Sequence, residues 1–178
     1  MDDLLLALDP SSQAIGWAAL QAGEVLVAGG VLLPEKVSER DPYVRIDSLC
    51  GRLWELLETN GPETVVVEVT SGKVGENRHK GHGAGLAIYG VAVGAVWREC
   101  RAWTRYELAT RRRLTHVERV YENDWTHQIP KRTRTLAIAA MCPRYDVEAD
   151  PGGDEADAIG LGIYYLREQF VKVNSERT

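Results

Sequence analysis

Cysteine is scarce in this chain: the 178 residues include only Cys50, Cys100 and Cys142. An odd number of widely spaced cysteines, with no Cys-x-x-Cys pair, argues against both a disulfide framework and a structural zinc site. The same usage fits a reducing compartment. Because 44% of the residues are hydrophobic, the chain can bury a full core without such cross-links.

The sequence also lacks a long apolar run and a recognisable secretory start. Its longest apolar stretch, Leu86–Trp97, is 12 residues long and contains two glycines, whereas a membrane-spanning helix needs about 20 residues. The opening Met1-Asp2-Asp3 has no basic n-region. We therefore expect a soluble cytoplasmic protein without membrane association, folded as a single domain over residues 1–178.

The net charge of −5 lowers the expectation of a nucleic-acid partner, but the charges are unevenly distributed. Residues 71–144 hold 14 Lys and Arg against 6 Asp and Glu, a balance of +8, and the rest of the chain has −13. An acidic body with a basic middle is compatible with a DNA-binding face beside a carboxylate-rich site. Charged residues also cluster on ordinary solvated surfaces, so the pattern alone does not decide.

Three strands are predicted at the start of the chain. Leu4–Asp9 is an apolar run that ends in a carboxylate, and Ile15–Leu20 and Val25–Leu33 follow after short turns, as in an antiparallel meander. Consecutive glycines, Gly29 and Gly30, suggest a bulge in the third strand.

Helical spacing of apolar residues predicts a helix over Pro42–Asn60, and the β-branched run Thr64–Val69 predicts a strand that returns to the core. The remaining predicted elements are a helix over Ala84–Arg98, a fifth strand over Ala102–Leu108, and helices over Pro130–Met141 and Asp154–Phe170. This order predicts an α/β fold around a mixed five-stranded sheet, in which three antiparallel strands precede two parallel ones.

Carboxylates stand at informative places in this layout. Asp9 ends the first apolar strand, and Glu68 lies near the end of the strand Thr64–Val69. Asp154 and Asp157 are three residues apart on the last predicted helix, on one face. Each acid has an ordinary explanation alone, such as a turn initiator or a favourable charge at a helix start. Together they predict four acids at the carboxyl ends of neighbouring strands, where α/β sites form.

Four close carboxylates repel one another, and divalent cations are their natural counter-ions. Oxygen-only ligands favour Mg²⁺, with Mn²⁺ as a substitute. Two such ions can stabilise the attacking and the leaving oxygens of phosphodiester hydrolysis. We therefore expect a two-ion nuclease site formed by Asp9, Glu68, Asp154 and Asp157.

Four segments carry a resemblance to a known family. They are LLALDPSSQAIGWAAL (Leu5–Leu20), VVVEV (Val65–Val69), PKRTRTLAIAAM (Pro130–Met141) and GDEADAIGLGIYY (Gly153–Tyr165). They resemble the first hairpin, the fourth strand and the last two helices of RuvC-type Holliday junction resolvases.

The resemblance implies a ribonuclease-H-like fold and a homodimer that cuts opposing strands of a four-way DNA junction symmetrically. It also implies that Lys131 supports catalysis by countering negative charge near the scissile phosphate. Basic residues in the middle of the chain are the candidate DNA contacts: Lys73, Arg78, His79, Lys80, Arg111, Arg112, Arg113, Arg132 and Arg134.

The chain departs from the family pattern in two places. Ser11 replaces the usual glycine of the first turn. The segment Thr70–Gly83 contains no aromatic residue, although relatives place a Phe there to open the junction. Contacts in this segment are therefore expected to reach phosphates rather than bases.

Other functions stay open at this level. A ribonuclease-H-like enzyme could process branched DNA more broadly or act on RNA. A DNA-binding domain could keep the fold without activity, although all four acids are present here. Sugar kinases and actin-like ATPases also begin with an Asp after the first strand, but they need a second lobe that 178 residues cannot supply.

Overall fold

The computed structural model describes residues 4–21, 25–69 and 83–175. The strands in these ranges are β1 (Leu5–Pro10), β2 (Ile15–Gln21), β3 (Val25–Leu32), β4 (Thr64–Val69) and β5 (His116–Tyr121). The helices are α1 (Pro42–Asn60), α2 (Gly83–Thr110), α3 (Glu122–Thr126), α4 (Lys131–Met141) and α5 (Asp154–Ser175). None of the helices in these ranges has the length and apolarity needed to cross a bilayer.

The five strands form one mixed sheet in the order β3-β2-β1-β4-β5. β2 pairs antiparallel with both β1 and β3, whereas β4 pairs parallel with both β1 and β5. The predicted sheet, with three antiparallel strands followed by two parallel ones, is confirmed.

The fifth strand is not where the sequence predicted it. Ala102–Leu108 belongs to the last turns of α2, which is therefore much longer than the predicted helix Ala84–Arg98. The helix continues because no glycine or proline interrupts the chain between Gly94 and Thr110, and because Cys100 and Trp103 extend its buried face. The fifth strand begins only at His116.

The third strand does contain an irregularity, as predicted, but it lies at Val27 and not at Gly29 and Gly30. Both glycines pair regularly with β2, and the register shift instead falls between Ala19 and Leu20, opposite Val27. Gly29 lies beside α5: a Cβ there would come within 2.5 Å of the carboxylate at the end of the flexible Glu155 side chain.

Alternating side chains of the strands divide the core into two layers, as the two-residue period of a strand requires. Leu6 and Leu8 face one side of the sheet, together with buried residues of α1 and α2. Leu5 and Ala7 face the opposite side and pack with α4 and α5. The sheet is thus buried between two helical layers, which explains why β1 and β4 are apolar on both faces.

Local signals fix the ends of α1, which covers one of these faces. The Asp41 side chain accepts a hydrogen bond from the Tyr43 N–H at 2.8 Å, and Pro42 occupies the first helical turn. Gly61 ends the helix in the left-handed conformation, with its N–H donating to the Leu57 carbonyl. The chain then enters β4 directly and leads to Glu68.

Candidate active site

Two of the predicted acids lie side by side on the sheet. The parallel pairing of β1 and β4 places Leu8 opposite Val67, and Asp9 and Glu68 are the next residues on their strands. Side chains two residues apart on a strand lie on the same face of the sheet, so Asp9 shares the face of Ala7 and Glu68 that of Val66. This face is covered by α5. Asp9 is half-buried and Glu68 is only 7% exposed. The sheet therefore directs both carboxylates toward the start of α5.

Helix α5 brings the other two acids to the same place. A Cβ on Gly16, the residue that pairs with Asp9, would overlap the backbone carbonyl of Asp154. The first turn of the helix therefore rests directly on glycine backbone. Asp157 follows one turn later and is 5% exposed. Asp154 and Asp157 share a face, as their three-residue spacing predicts.

A fifth acid, Asp150, anchors the start of α5 and was not singled out from the sequence. Its carboxylate accepts hydrogen bonds from the N–H groups of Asp154 and Ala156 at 3.0 Å each, and from the Tyr145 hydroxyl at 3.0 Å. These N–H groups are among the donors that a helix leaves unsatisfied at its start. Asp150 thus fixes the position of the helix that carries Asp154 and Asp157.

The pKa values of Asp9 and Glu68 show how strongly this environment disfavours negative charge. Burial and the nearby charge of Asp157 raise the pKa of Asp9 to about 7. Burial and the charge of Asp9 raise the pKa of Glu68 to about 9, although a hydrogen bond from Trp125 acts in the opposite direction. Within the described residues, no Lys or Arg forms an ion pair with either acid. Neither carboxylate therefore has a direct positive partner in the part of the chain that the structure describes.

The other two acids are bound by cations from α4. Lys131 Nζ lies 2.7 Å from Asp154 Oδ1 and 3.1 Å from Asp157 Oδ2, so it bridges them. Arg134 donates from Nε and Nη2 to the two oxygens of Asp157, at 3.0 Å each. Burial opposes the charged form of Lys131, but the hydrogen bond to Asp154 and the charge of Asp157 raise its pKa overall.

Three further residues belong to this site and were missed from the sequence. Trp125 Nε1 donates to Glu68 Oε2 at 2.7 Å. Glu122, in the first turn of α3, contributes to the raised pKa of both Asp9 and Glu68. Burial and the charge of Glu68 raise the pKa of Tyr89, a residue of α2. No local pattern identifies them, because their partners are distant in sequence.

The predicted DNA contacts are spread over the molecule. Arg111 pairs with Glu107 at 3.1 Å and Arg113 with Glu63 at 3.2 Å, both near the chain's entry into β4 and β5. That end of the strands is opposite the acids and lies about 13 Å away, since four residues of β4 lead from Thr64 to Glu68. Arg112 is exposed at the same end. The three arginines therefore lie at the other end of these strands from the acids.

Two of the other predicted contacts lie beside the acids. Arg132 is exposed on the first turn of α4, whereas the guanidinium of Arg134 is turned inward onto Asp157. Lys73, Arg78, His79 and Lys80 lie outside the described residues. DNA contact by any of these basic residues stays a prediction.

The oxygen-rich donor set suits a hard divalent cation such as Mg²⁺. Among the described residues, however, no group of three or more His, Cys, Asp and Glu side chains is already arranged to hold an ion. The contacts above give the reason: Lys131 lies between Asp154 and Asp157, and Arg134 engages both oxygens of Asp157. The residues fit a metal centre chemically, and an ion that takes both Asp154 and Asp157 as ligands would have to displace the Lys131 ammonium.

Three solved structures resemble this chain over most of its length. Thermus thermophilus RuvC in complex with a Holliday junction substrate matches with a TM-score of 0.65 at 17% identity, covering 94% of this chain and 96% of that one. A second structure of Thermus thermophilus RuvC matches with a TM-score of 0.60 at 17% identity, covering 93% and 96%. This chain has the RuvC fold.

The yeast mitochondrial Holliday junction resolvase Ydc2 has the same architecture, with a TM-score of 0.58 at 12% identity, covering 93% of this chain and 79% of that one. No protein-family model matches the sequence. No curated protein matches it either. The RuvC fold is thus recognised through structure, on a divergent sequence, and it confirms the predicted ribonuclease-H-like architecture.

The raised pKa values of Asp9 and Glu68 predict how the stability of the metal-free protein depends on pH. Because both acids have a higher pKa in the folded state than in the unfolded chain, the folded state binds more protons between about pH 4.5 and pH 9. The free energy of unfolding should therefore decrease as the pH rises through this window. Thermal melts in EDTA should show the decrease for the wild type and a shallower one for Glu68→Gln.

The exposed Glu58 of α1 provides the matched control. Glu58→Gln should retain the full pH dependence of the melting temperature. A melting temperature that stays constant from pH 5 to pH 9 in the wild type would show that Asp9 and Glu68 carry no burial penalty.

Proposed function

We propose that this chain is a divalent-metal-dependent endonuclease that resolves four-way DNA junctions. One observation carries the proposal: the RuvC fold brings Asp9, Glu68, Asp154 and Asp157 together where β1, β4 and the start of α5 meet. Thermus thermophilus RuvC has this fold and is seen with a Holliday junction substrate. The four acids support the hydrolytic chemistry of the proposal, and the structural likeness to a junction-bound RuvC supports its substrate class.

The four carboxylates would hold two Mg²⁺ ions, with Mn²⁺ as a substitute. Asp9 and Glu68 are suited to this role because their surroundings disfavour negative charge and neither has an ion-pair partner among the described residues. The Trp125 hydrogen bond is made to one oxygen of Glu68, and we assign the other oxygen to the ion. Asp157 can also serve, since each carboxylate oxygen accepts more than one bond. When bound, the ions would activate water and offset charge on the phosphate.

Lys131 has two roles in this proposal. In the absence of metal its ammonium neutralises Asp154 and Asp157, which would otherwise repel each other. Its side chain is 40% exposed and flexible, so it can turn toward a phosphate that approaches from solvent. There it would counter the negative charge that develops during cleavage.

Cleavage assays on a set of substrates test this function. We expect the protein to cut a four-way junction in Mg²⁺ or Mn²⁺ much faster than a flap, a linear duplex or an RNA–DNA hybrid of the same sequence, and not to cut in EDTA. Preference for the flap or the hybrid would instead indicate a nuclease of other specificity. Junction binding without cleavage of any substrate would indicate a DNA-binding domain.

A symmetric homodimer is part of the proposal, because one chain has one set of acids and a junction must be cut on two strands. Helix α2 offers the surface. It buries Ala92 and Val96 against the rest of the chain, whereas Leu86, Gly90 and Val91 are exposed. A Cβ on Gly90 or on Gly94 would meet no atom within 4 Å. This open apolar face could pack on its copy around a two-fold axis.

Gly90→Arg should disrupt that dimer without disturbing the fold, since the added side chain would point into open space. We expect sedimentation of the variant as a monomer that nicks junctions on one strand at a time. Gly51→Arg on the exposed surface of α1, where a Cβ also meets no atom within 4 Å, is the matched control and should stay dimeric. A wild type that sediments as a monomer at micromolar concentration and still makes paired cuts would exclude this arrangement.

A further inference from the structure

Trp125 is an unusual partner for a buried acid. It lies on the short helix α3 and is 9% exposed, and its indole N–H reaches Glu68 Oε2 at 2.7 Å across 57 residues of sequence. A buried indole N–H needs an acceptor, and here that acceptor is a proposed metal ligand. The hydrogen bond engages one of the two oxygens of Glu68 and so restrains the orientation of its carboxylate.

Arg134 holds a second proposed ligand in the same way. It donates to both oxygens of Asp157, and its Nη1 donates to the Ile129 carbonyl at 2.6 Å. The turn that presents this carbonyl contains two non-glycine residues in the left-handed conformation, His127 at φ 46° and Gln128 at φ 61°. Such conformations persist where surrounding contacts stabilise them. The bidentate contact fixes the plane of the Asp157 carboxylate.

The two residues also contact each other. The guanidinium carbon of Arg134 lies 5.0 Å from the centroid of the Trp125 ring, within the range of a cation–π interaction. Gly160 on α5 allows this arrangement, because a Cβ there would come within 2.8 Å of the indole. Glu68 on β4 and Asp157 on α5 are thus linked through one stacked pair.

Arg134 differs from Lys131 in how firmly it is held. The Arg134 side chain is 15% exposed, has three hydrogen bonds and is stacked on a ring, whereas the Lys131 side chain is 40% exposed. Arg134 is therefore built as a permanent part of the site and Lys131 as a displaceable cation. A guanidinium used only for charge would need neither the planar contact with Asp157 nor the ring.

We propose that Trp125 and Arg134 act together as positioning residues, which hold Glu68 and Asp157 in the orientation that the divalent cation requires. This inference rests on the proposed function. Neither residue contacts the ion or the substrate in the proposal; each acts through the carboxylate that it binds. Partners of this kind typically affect metal affinity or activity by about 10–100-fold.

Two conservative variants test the proposal. Trp125→Phe retains the ring but removes the N–H donor, and Arg134→Lys retains the charge but removes the planar two-bond contact. Binding of Mn²⁺ to the free protein is measured by calorimetry, and the Mn²⁺-dependent rise in melting temperature gives a second value. Both variants should raise the Kd for Mn²⁺ by about 10–100-fold. The kcat on a four-way junction at saturating Mn²⁺ should decrease by a smaller factor than the factor by which Kd increases.

The controls are the same substitutions far from the acids. Trp54→Phe alters the aromatic cluster with Trp103 and Tyr106, and Arg98→Lys alters a side chain that is 72% exposed. Both should bind Mn²⁺ as the wild type does. A purely structural role for Trp125 and Arg134 would lower the melting temperature without metal and leave the Mn²⁺ affinity unchanged, which would overturn the proposal.

Two further variants complete the test: a double variant, and one that displaces the Trp125 indole. Because the two residues act through one stack, Trp125→Phe with Arg134→Lys should weaken Mn²⁺ binding by less than the product of the single effects. Should Trp125→Phe not fold, Gly160→Ala shifts the indole without removing it and should weaken Mn²⁺ binding in the same sense. A wild type that binds no Mn²⁺ and cuts no junction refutes the proposed function itself. A wild type that does both, with variants that match it, refutes only the positioning role.

Discussion

We expect Asp9→Asn to bind a four-way junction but not to cut it. The amide keeps the size of the side chain and removes a negatively charged ligand from the position where β1 meets α5. Because a change in a residue that merely supports a ligand can cost 100-fold, loss of a ligand should reduce cleavage by at least about that factor. Junction binding in EDTA should be unchanged or tighter, since repulsion of the phosphates is relieved.

The corresponding amides at Glu68, Asp154 and Asp157 should behave in the same way, as measured by single-turnover cleavage and by binding titrations on the same junction. Asp47→Asn on the exposed side of α1 is the matched control and should cut normally. If Asp9→Asn cuts at a rate close to that of the wild type, Asp9 is not a ligand and the proposed mechanism fails.

The second large effect is expected from Gly16→Ala. An added Cβ would overlap the carbonyl of Asp154, and neither backbone can move without separating α5 from the sheet. Overpacking typically costs about 1–3 kcal/mol. In addition, displacement of catalytic groups by about 1 Å can cost about 100-fold in rate. We therefore expect a lower melting temperature together with a loss of cleavage at temperatures where the variant is still folded.

Gly51→Ala separates this effect from a general intolerance of Ala. Gly51 is exposed in the interior of α1 and a Cβ there meets no atom within 4 Å. The substitution should stabilise the protein by about 0.5–1 kcal/mol, because Ala favours helix over Gly. A Gly16→Ala variant with the stability and activity of the wild type would show that α5 does not rest on this glycine.

The sequence predicted β1, β4 and the acids that end them because their signals are local. An apolar run that closes on a carboxylate identifies a buried strand whose end reaches a site, and Leu4–Asp9 and Thr64–Val69 both have this form. The spacing of Asp154 and Asp157 likewise depends only on the helical period. The location of these elements in one mixed sheet followed from the order of strands and helices.

The fifth strand could not be located in this way. His116–Tyr121 lies at the edge of the sheet and only Val120 is buried, so its residues show no clear alternation. Its strand conformation depends on pairing with β4 along its whole length. In contrast, the aromatic and β-branched residues of Ala102–Leu108 favour a strand locally. The segment is nevertheless helical, because Trp103 packs against α1 and the sheet.

The supporting residues of the site were invisible for a similar reason. Trp125 is 57 residues from Glu68, and Arg134 is 23 residues from Asp157. Arg134 was predicted as a DNA contact because it lies in the basic middle of the chain. The sequence identifies which residues carry charge, but only the fold shows which acid a given cation faces.

The central claim is that the acids form a divalent-metal site, and a crystal structure with Mn²⁺ tests it most directly. The account predicts an anomalous difference peak within about 2.0–2.3 Å of carboxylate oxygens of Asp9 and Glu68. It also predicts that Lys131 has moved away from Asp154 while Arg134 keeps both bonds to Asp157. A crystal soaked in millimolar Mn²⁺ with no peak at these acids, and with Lys131 still between Asp154 and Asp157, would contradict it.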